Sequence, residues 1–269
     1  MAINLDNDAE QTTGKPGPPM VVLSGQSGVG KTTFASGAEN CVFIQTEAGE
    51  GLLKITRIKF DADKIATKYS QVTEAIEALQ NQEHDYKTLV IDSIDHLEPL
   101  MWEHLCTQNN WTAIDRGGAG YGVGYATAAG EWRVLLKKLI KLRKTKGMAI
   151  VLIAHCQTRN IDEPGESQIT RWDLKLHAKS SAVITETVDC VFFAKHKVRN
   201  TTEDTGYGGS KTIQKDMGQR VLVTQGGPHL NAKNRYGLPA EIPLSWADFM
   251  SALGDSIKST TKEKVKANG

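Results

Sequence analysis

The chain has 269 residues, 39% of them hydrophobic and 23% charged, so it can bury the core of one large domain. Its formal net charge of +1 excludes a broadly basic surface, and any contact with nucleic acid must be local. The sequence shows no signal peptide and no apolar run of membrane-spanning length, and we expect a cytoplasmic protein without a membrane partner.

The stretch from Gly25 to Thr32 fits G-x-x-x-x-G-K-[ST], the phosphate-binding P-loop. An apolar run at 20–24 predicts a buried strand before it, and residues 33–38 can begin a helix after it. Glycines let backbone N–H groups close around phosphates, and the helix directs its positive end at them. The sequence therefore predicts a nucleotide site formed by Gly25, Gln26, Ser27, Gly28, Val29, Gly30, Lys31, Thr32 and Thr33.

Residues 41–45 predict a second strand, followed by acidic residues. A carboxylate at the carboxyl end of a strand lies where a parallel sheet presents groups to a ligand. Glu47 could there orient and deprotonate the water that attacks the γ-phosphate of ATP, and Glu50 competes for this role. The alternative is a solvated acid in a loop.

An amphipathic helix is predicted within 64–82, and the apolar strand 87–92 then ends in Asp92, the Walker B pattern. Asp92 would hold Mg²⁺, through water, opposite the hydroxyl of Thr32, while Lys31 reaches the β- and γ-phosphates. ATP and Mg²⁺ are therefore the expected cofactors. Asp95 is interpreted as a first-turn helix acid, favoured there by the helix dipole.

The segment Trp111–Gly124 contains five glycines with Trp111, Arg116 and Tyr121 between them. Aromatic rings and a cation suit single-stranded nucleic acid, where bases stack on rings and Arg pairs with phosphate. The alternative is a mobile surface loop without a ligand.

A long helix is predicted at 131–146, and the apolar run 148–154 then predicts a strand buried on both faces. This strand ends in polar residues that could sense the γ-phosphate, with His155 as first choice and Gln157 as second. A second polar loop, Thr158–Leu176, a helix at 178–188 and strands at 189–194 and 220–224 follow. Lys233 and Arg235 could then project into the nucleotide of a neighbouring subunit.

These segments, in this order, resemble the RecA-type ATPase core, and are especially similar to phage-encoded RecA-like ATPases associated with single-strand annealing recombination. The resemblance covers about Met20 to Pro239, and its selective segments are FIQTEAGEG, TLVIDSID, VLIAH and AKNRYGLP. It implies an α/β fold with a RecA-like P-loop NTPase core. In that fold a mostly parallel sheet is covered by helices on both faces and ends in C-terminal antiparallel strands.

By this resemblance Glu47 is the catalytic glutamate, Asp92 the Walker B residue and His155 the sensor. Lys233 and Arg235 act in trans on the adjacent subunit's γ-phosphate. The segments 111–124 and 158–176 fall where recombinases keep two DNA loops, although the second loop has mixed charge. The residues that this implies for DNA binding are Arg116, Tyr121, Arg159, Arg171, Trp172 and Lys175.

The sequence thus predicts a Mg²⁺-dependent ATPase that forms a homo-oligomer on single-stranded DNA and promotes phage-type homologous recombination or strand annealing. A single-strand-binding or annealing protein is a candidate partner, and the location is the host cytoplasm if a phage encodes the chain. The alternatives are a ring-forming, helicase-like DNA translocase, a nucleotide-gated module that recruits a partner without binding DNA, and, more weakly, a small-molecule kinase.

Three segments are expected. Residues 1–19 form a flexible N-terminal arm and 20–254 the ATPase domain, and 255–269 form a flexible, Lys-rich tail.

Overall fold

A mixed sheet forms the centre of the protein in the computed structural model, which describes residues 16–49, 51–60, 64–162, 168–204 and 210–267. Nine strands of these residues join it: β1 (Met20–Gly25), β2 (Cys41–Gln45), β3 (Thr88–Asp92), β4 (Ala149–Ile161), β5 (Ile169–Leu174), β6 (Cys190–Asp204), β7 (Ser210–Val223), β8 (Lys233–Asn234) and β9 (Glu241–Pro243). The helices are α1 (Lys31–Ser36), α2 (Tyr69–Asn81), α3 (Ile94–Asn109), α4 (Val123–Lys146), α5 (Ala178–Thr187) and α6 (Trp246–Ala267), with a 3₁₀ turn at Gly117–Ala119.

The strand order is β2-β3-β4-β1-β6-β7-β9, and the first five of these strands run parallel. The strands β7 and β9 continue the sheet antiparallel, while β5 pairs with β4 and β8 with β6. Because β1, β2 and β3 are parallel, the groups that follow their carboxyl ends meet at one edge of the sheet. The predicted α/β class, mostly parallel with antiparallel C-terminal strands, is confirmed.

Two hydrophobic cores, one on each face, explain why the central strands are uninterrupted apolar runs. Alternate residues of β1 show the division, because Val22 belongs to the core under α2–α5, whereas Val21 and Leu23 belong to the core under α1 and α6. Trp132 of α4 and Phe249 of α6 are fully buried in the first and second core respectively. The prediction of helices on both faces is confirmed.

The segment 158–176, expected to be a polar loop, is a β-hairpin in its described part, so that expectation is wrong. The strand β4 continues beyond the core to Ile161 and pairs antiparallel with β5, with Thr158 opposite Trp172. Threonine, isoleucine and tryptophan favour extended backbone, and pairing with a neighbouring strand outweighs the polar composition that suggests a loop.

The helix α4 begins at Val123 rather than near residue 131, so it takes in the end of the glycine-rich segment. Gly122 precedes it in a left-handed conformation, and a Cβ on Gly124 would lie 2.0 Å from the carbonyl oxygen of Ile114. The absence of a side chain at Gly124 therefore lets the segment pack tightly against the helix, and Ile114 and Ala119 are buried there.

The helix α6 continues to Ala267, although a flexible tail was expected from residue 255. Phe249 and Leu253 anchor this helix in the second core, Ile257 packs against it, and the following Lys, Glu and Ala residues have good helix propensity. The predicted N-terminal arm lies, up to residue 15, outside the described residues.

None of the helices in the described part of the chain has the length and hydrophobicity needed to cross a bilayer.

Candidate functional site

A cavity of about 470 Å³ at the carboxyl edge of the sheet brings together five predicted site residues, namely Lys31, Thr32, Glu47, Asp92 and His155. Ser27, Gly28, Gly30 and Thr33 of the P-loop also line it. The loop leaves β1 at Gly25 and enters α1 at Lys31. Gly28 and Gly30 have backbone φ angles of 78° and 103°, which residues other than glycine rarely adopt.

The ammonium group of Lys31 lies against the P-loop backbone. Its Nζ donates hydrogen bonds to the carbonyl oxygens of Gly25 and Gln26, both at 3.0 Å, and the residue is only 6% exposed. Burial lowers the pKa of Lys31, while the negative charge of Asp92 opposes the shift. The P-loop backbone thereby holds a cation in the loop where phosphate is expected to bind.

Thr32 and Asp92 are joined directly, because the Thr32 hydroxyl donates to Asp92 Oδ2 at 2.8 Å. Asp92 is buried at the end of β3, and this burial raises its pKa, against the effect of the hydrogen bond from Thr32. Mg²⁺ prefers a few carboxylate and hydroxyl oxygens together with phosphate and water. The Thr32 hydroxyl and the Asp92 carboxylate therefore suit a Mg²⁺ ion.

Arg220 contacts the P-loop from β7, a neighbour that the sequence analysis did not identify. Its Nη1 lies 3.4 Å from the carbonyl oxygen of Val29, and a Cβ on Gly30 would lie 2.5 Å from the same nitrogen. No sequence signal marks Arg220, because it lies in an antiparallel strand 191 positions from Val29. The arrangement places a second cation next to the phosphate-binding backbone.

Glu47 follows β2 and points towards α3. Its Oε2 lies 3.0 Å from Nδ1 of His96, and the hydroxyl of Ser93 lies 2.9 Å from the same nitrogen. No sequence pattern identifies His96 as a site residue, because polar residues are common in the first turn of a helix. Glu50, the competing acid, lies outside the described residues.

His155 is held by Asp95, the residue that the sequence reading treated only as a first-turn acid. The main-chain N–H and the ring Nδ1–H of His155 donate to the two carboxylate oxygens, both at 2.9 Å. Burial would raise the pKa of Asp95, but the hydrogen bonds from His155 outweigh it and lower the pKa to about 2. Asp95 is therefore an ionised acceptor that fixes the backbone and ring of His155.

Gln157, the second sensor candidate, is turned towards the hairpin. Its amide donates to the carbonyl oxygens of Leu174 and Leu176 at 3.1 and 3.3 Å. It lines, with Trp172 and Lys175, a cavity of about 700 Å³ that also reaches Glu47 and His155. The structure thus connects the hairpin to the nucleotide side of the sheet.

Four of the six candidate DNA contacts belong to this hairpin or the residue after it, and two precede α4. Arg159 donates to the carbonyl oxygen of Leu176, and its Nε is 3.6 Å from Asp173 Oδ2. Arg171 and Trp172 are half-buried, and Lys175 is exposed. Arg116 pairs with Asp115 at 3.0 Å on the surface, and the side chain of Tyr121 is fully exposed.

Lys233 and Arg235 lie away from the chain's own P-loop. The strand β8 pairs with the first residues of β6, which neighbour the start of β1, whereas the P-loop follows the end of β1. Lys233 Nζ donates to three carbonyl oxygens, of Thr185, Glu186 and Val188, at 2.6–2.9 Å. Arg235 donates to the carbonyl oxygen of Glu186 at 2.8 Å.

These contacts give both cations a structural role at the carboxyl end of α5, where unpaired carbonyl groups attract positive charge. Burial lowers the pKa of Lys233, and the charge of Arg235 adds to the shift. Neither side chain can serve its own P-loop from this edge of the sheet. A role in trans stays a prediction, and it requires the side chains to leave these carbonyl oxygens.

Comparisons with known proteins agree with a nucleotide site. A family model described as an AAA domain matches residues 17–236. A solved structure described as the RadB recombinase is similar at 12% identity over 86% of this chain and 90% of that one, with a TM-score of 0.44. This similarity is too low to carry a conclusion about activity. No curated protein sequence matches the chain.

Proposed function

Because the chain belongs to the AAA domain family, we propose that it is a Mg²⁺-dependent ATPase that assembles on single-stranded DNA and promotes recombination or strand annealing of the phage type. The observation that carries the ATPase part is the convergence of Lys31, Thr32, Glu47, Asp92 and His155 on one cavity. These are the side chains that positioning and charge neutralisation at a γ-phosphate require.

In the proposed mechanism the P-loop N–H groups and Lys31 orient the phosphates. Thr32 and Asp92 would hold Mg²⁺, and the ion would supply positive charge to neutralise the phosphate oxygens. Glu47 orients the attacking water and accepts its proton. His155, whose backbone and ring are held by Asp95, would respond to the loss of the γ-phosphate.

The DNA-binding part is supported by composition and by position. Trp172 and Lys175 combine a ring with a cation, the pairing that suits stacked bases and their phosphates. They line the cavity that reaches Glu47 and His155, so DNA bound there would lie near the hydrolysis residues. Tyr121 offers a further aromatic ring, fully exposed, on the segment before α4.

The first test is the rate of ATP hydrolysis with and without single-stranded DNA over a range of protein concentrations, with Glu47→Gln as the inactive control. We expect stimulation by DNA that rises cooperatively with protein concentration. A cation supplied in trans is worth roughly 10³–10⁵ in rate, so dilute protein should be slow. A rate indifferent to both DNA and concentration would leave an ATPase but overturn the assembly on DNA.

A nucleotide-gated module that recruits another protein is the second candidate. The internal hydrogen bonds of Lys233 favour it, because they account for this cation without a neighbouring subunit. Contacts to DNA phosphates must weaken as salt rises. Single-strand binding that is absent, or that does not change with salt, would favour this module over the DNA-bound assembly.

A further inference from the structure

The side chains of Glu47, His96 and His155 form a cluster beside the P-loop that the proposed hydrolysis does not use as a set. Each offers one ligand atom, and the three atoms lie within 4.8 Å of one another. The imidazole rings have centroids 5.9 Å apart and are nearly perpendicular, at 82°. Two imidazoles and one carboxylate are a ligand set that Zn²⁺ and similar transition-metal ions accept.

Asp95 supports this cluster from behind. Both carboxylate oxygens of Asp95 accept hydrogen bonds from His155, one from the main-chain N–H and one from the ring Nδ1, which leaves Nε2 as the nitrogen available to an ion. Metal-binding histidines commonly donate their other nitrogen to a carboxylate in this way. The side chain of Asp95 is only 2% exposed, so the orientation of the His155 ring is fixed before any ion arrives.

The spacing suits a small ion. Ligand atoms about 2.0–2.2 Å from a tetrahedral Zn²⁺ lie roughly 3.3 Å from one another. Glu47 Oε2 and His96 Nδ1 are already 3.0 Å apart, and the 4.8 Å that encloses all three ligand atoms leaves only a small movement to reach this spacing. The side chain of His96 is 44% exposed, so it can adjust its rotamer and solvent can deliver an ion from that side.

We propose that Glu47, His96 and His155 form a second cation site, for Zn²⁺ or an ion of similar chemistry, separate from the oxygen pair of Thr32 and Asp92 that suits Mg²⁺. An ion held there occupies the carboxylate of Glu47 and prevents it from accepting the proton of the attacking water. Zn²⁺ therefore inhibits ATP hydrolysis. This inhibition rests on the proposed function, whereas the ion binding rests on the three side chains alone.

The binding test is a calorimetric titration of the full, untagged chain with Zn²⁺ in the absence of nucleotide and Mg²⁺. Visible absorption of bound Co²⁺ serves as a second readout. We expect one ion per chain. His96→Ala and Glu47→Gln each remove a ligand and should weaken Zn²⁺ binding by more than tenfold, and Asp95→Asn, which acts through His155, should weaken it by about 10–100-fold.

Two control variants separate this site from other ion contacts. His229→Ala removes an exposed histidine outside the cluster, and Asp92→Asn alters the Mg²⁺ pair, so both should keep the wild-type affinity for Zn²⁺. Thermal unfolding checks that each variant is folded, and His96→Asn replaces His96→Ala if it is not. A wild-type chain that binds no Zn²⁺, or a folded His96 variant with undiminished affinity, would overturn the proposed site.

The hydrolysis test compares the fraction of ATPase activity that Zn²⁺ removes, each protein being scaled to its own zinc-free rate. The wild type and His229→Ala should be inhibited, and His96→Ala should resist at the same Zn²⁺ concentration. If Zn²⁺ binds to the wild type but leaves hydrolysis unchanged, the ion site stands and the assigned role of Glu47 is overturned.

Discussion

At the scale of single residues, the hydrogen bonds between Asp95 and His155 tie β4 to the first turn of α3. The carboxylate is buried, and the two N–H groups of His155 that point at it stabilise its charge. Replacing it leaves the donors of His155 without an ionised partner. The contribution of Asp95 to the free energy of unfolding depends on pH, so unfolding experiments can measure it separately from ATP hydrolysis.

We expect the difference in free energy of unfolding between wild type and Asp95→Asn to shrink as pH falls. The folded-state pKa of Asp95 is about 2, below its ordinary value of 3.8, so the stabilisation is complete above about pH 5 and is lost as pH falls towards 2. A shift of this size corresponds to about 2 kcal/mol at neutral pH, of which about half should remain at pH 3.

Urea unfolding of both proteins between pH 7 and pH 3 measures this difference. The exposed Asp248→Asn is the control, because it removes a surface carboxylate. A difference between wild type and Asp95→Asn that stays constant over this range would contradict the assignment of an ionised, hydrogen-bonded Asp95.

Thr32 provides a second test at the residue scale. Thr32→Ala removes the hydroxyl that bonds Asp92 and should lower kcat/KM for Mg²⁺-ATP by roughly 100-fold, since a catalytic metal contributes several kcal/mol. Thr32→Ser keeps the oxygen and should stay within about tenfold of wild type. Steady-state kinetics at varied Mg²⁺ measures both, and equal loss in the two variants would show that packing of the methyl group, and not the hydroxyl, matters.

At the scale of elements, the start of α4 depends on the close approach of the preceding segment. Gly124→Ala would place a methyl group 2.0 Å from the Ile114 carbonyl oxygen, and we expect it to lower the free energy of unfolding by about 1–3 kcal/mol. Gly130→Ala, in the same helix with open space at its Cβ position, should instead stabilise by about 0.5–1 kcal/mol.

Chemical denaturation of the wild type and the two alanine variants measures both changes in the free energy of unfolding. If Gly124→Ala proves as stable as Gly130→Ala, the segment 111–122 does not pack against α4 as described. In that case the earlier expectation of a mobile loop would be restored for the residues around Tyr121.

At the scale of the whole molecule, the sheet separates the P-loop from Lys233 by placing them at opposite ends of neighbouring strands. A chain with this geometry can use Lys233 in hydrolysis only at another subunit's site. The same side chain caps α5, so Lys233→Ala is expected to cost some stability as well.

Mixing two inactive variants tests this arrangement. Lys233→Ala and Glu47→Gln should each be slow alone, whereas an equal mixture should recover activity at about a quarter of its sites, because subunits in a heterologous assembly pair at random. The ATPase rate of the mixture is measured on single-stranded DNA. A mixture no faster than its components would show that Lys233 has only its structural role at the end of α5 and takes no part in hydrolysis.

Much of the site was predictable because it is local in sequence. The P-loop is a short spacing motif. Glu47, Asp92 and His155 follow from one rule, that the buried parts of parallel strands end at one edge of the sheet. The P-loop ATPase class is confirmed by the AAA domain family match. The link to phage recombination, the DNA contacts and the oligomer stay predictions.

The sequence by itself determined the α/β class, the buried strands and the phosphate loop, because hydrophobic period and glycine spacing are local properties of the chain. Only the tertiary structure decided which distant groups meet there. Arg220 reaches the P-loop, Asp95 holds His155, and His96 meets Glu47 through strand order and helix packing. Such contacts join positions far apart in the chain, and no local pattern encodes them.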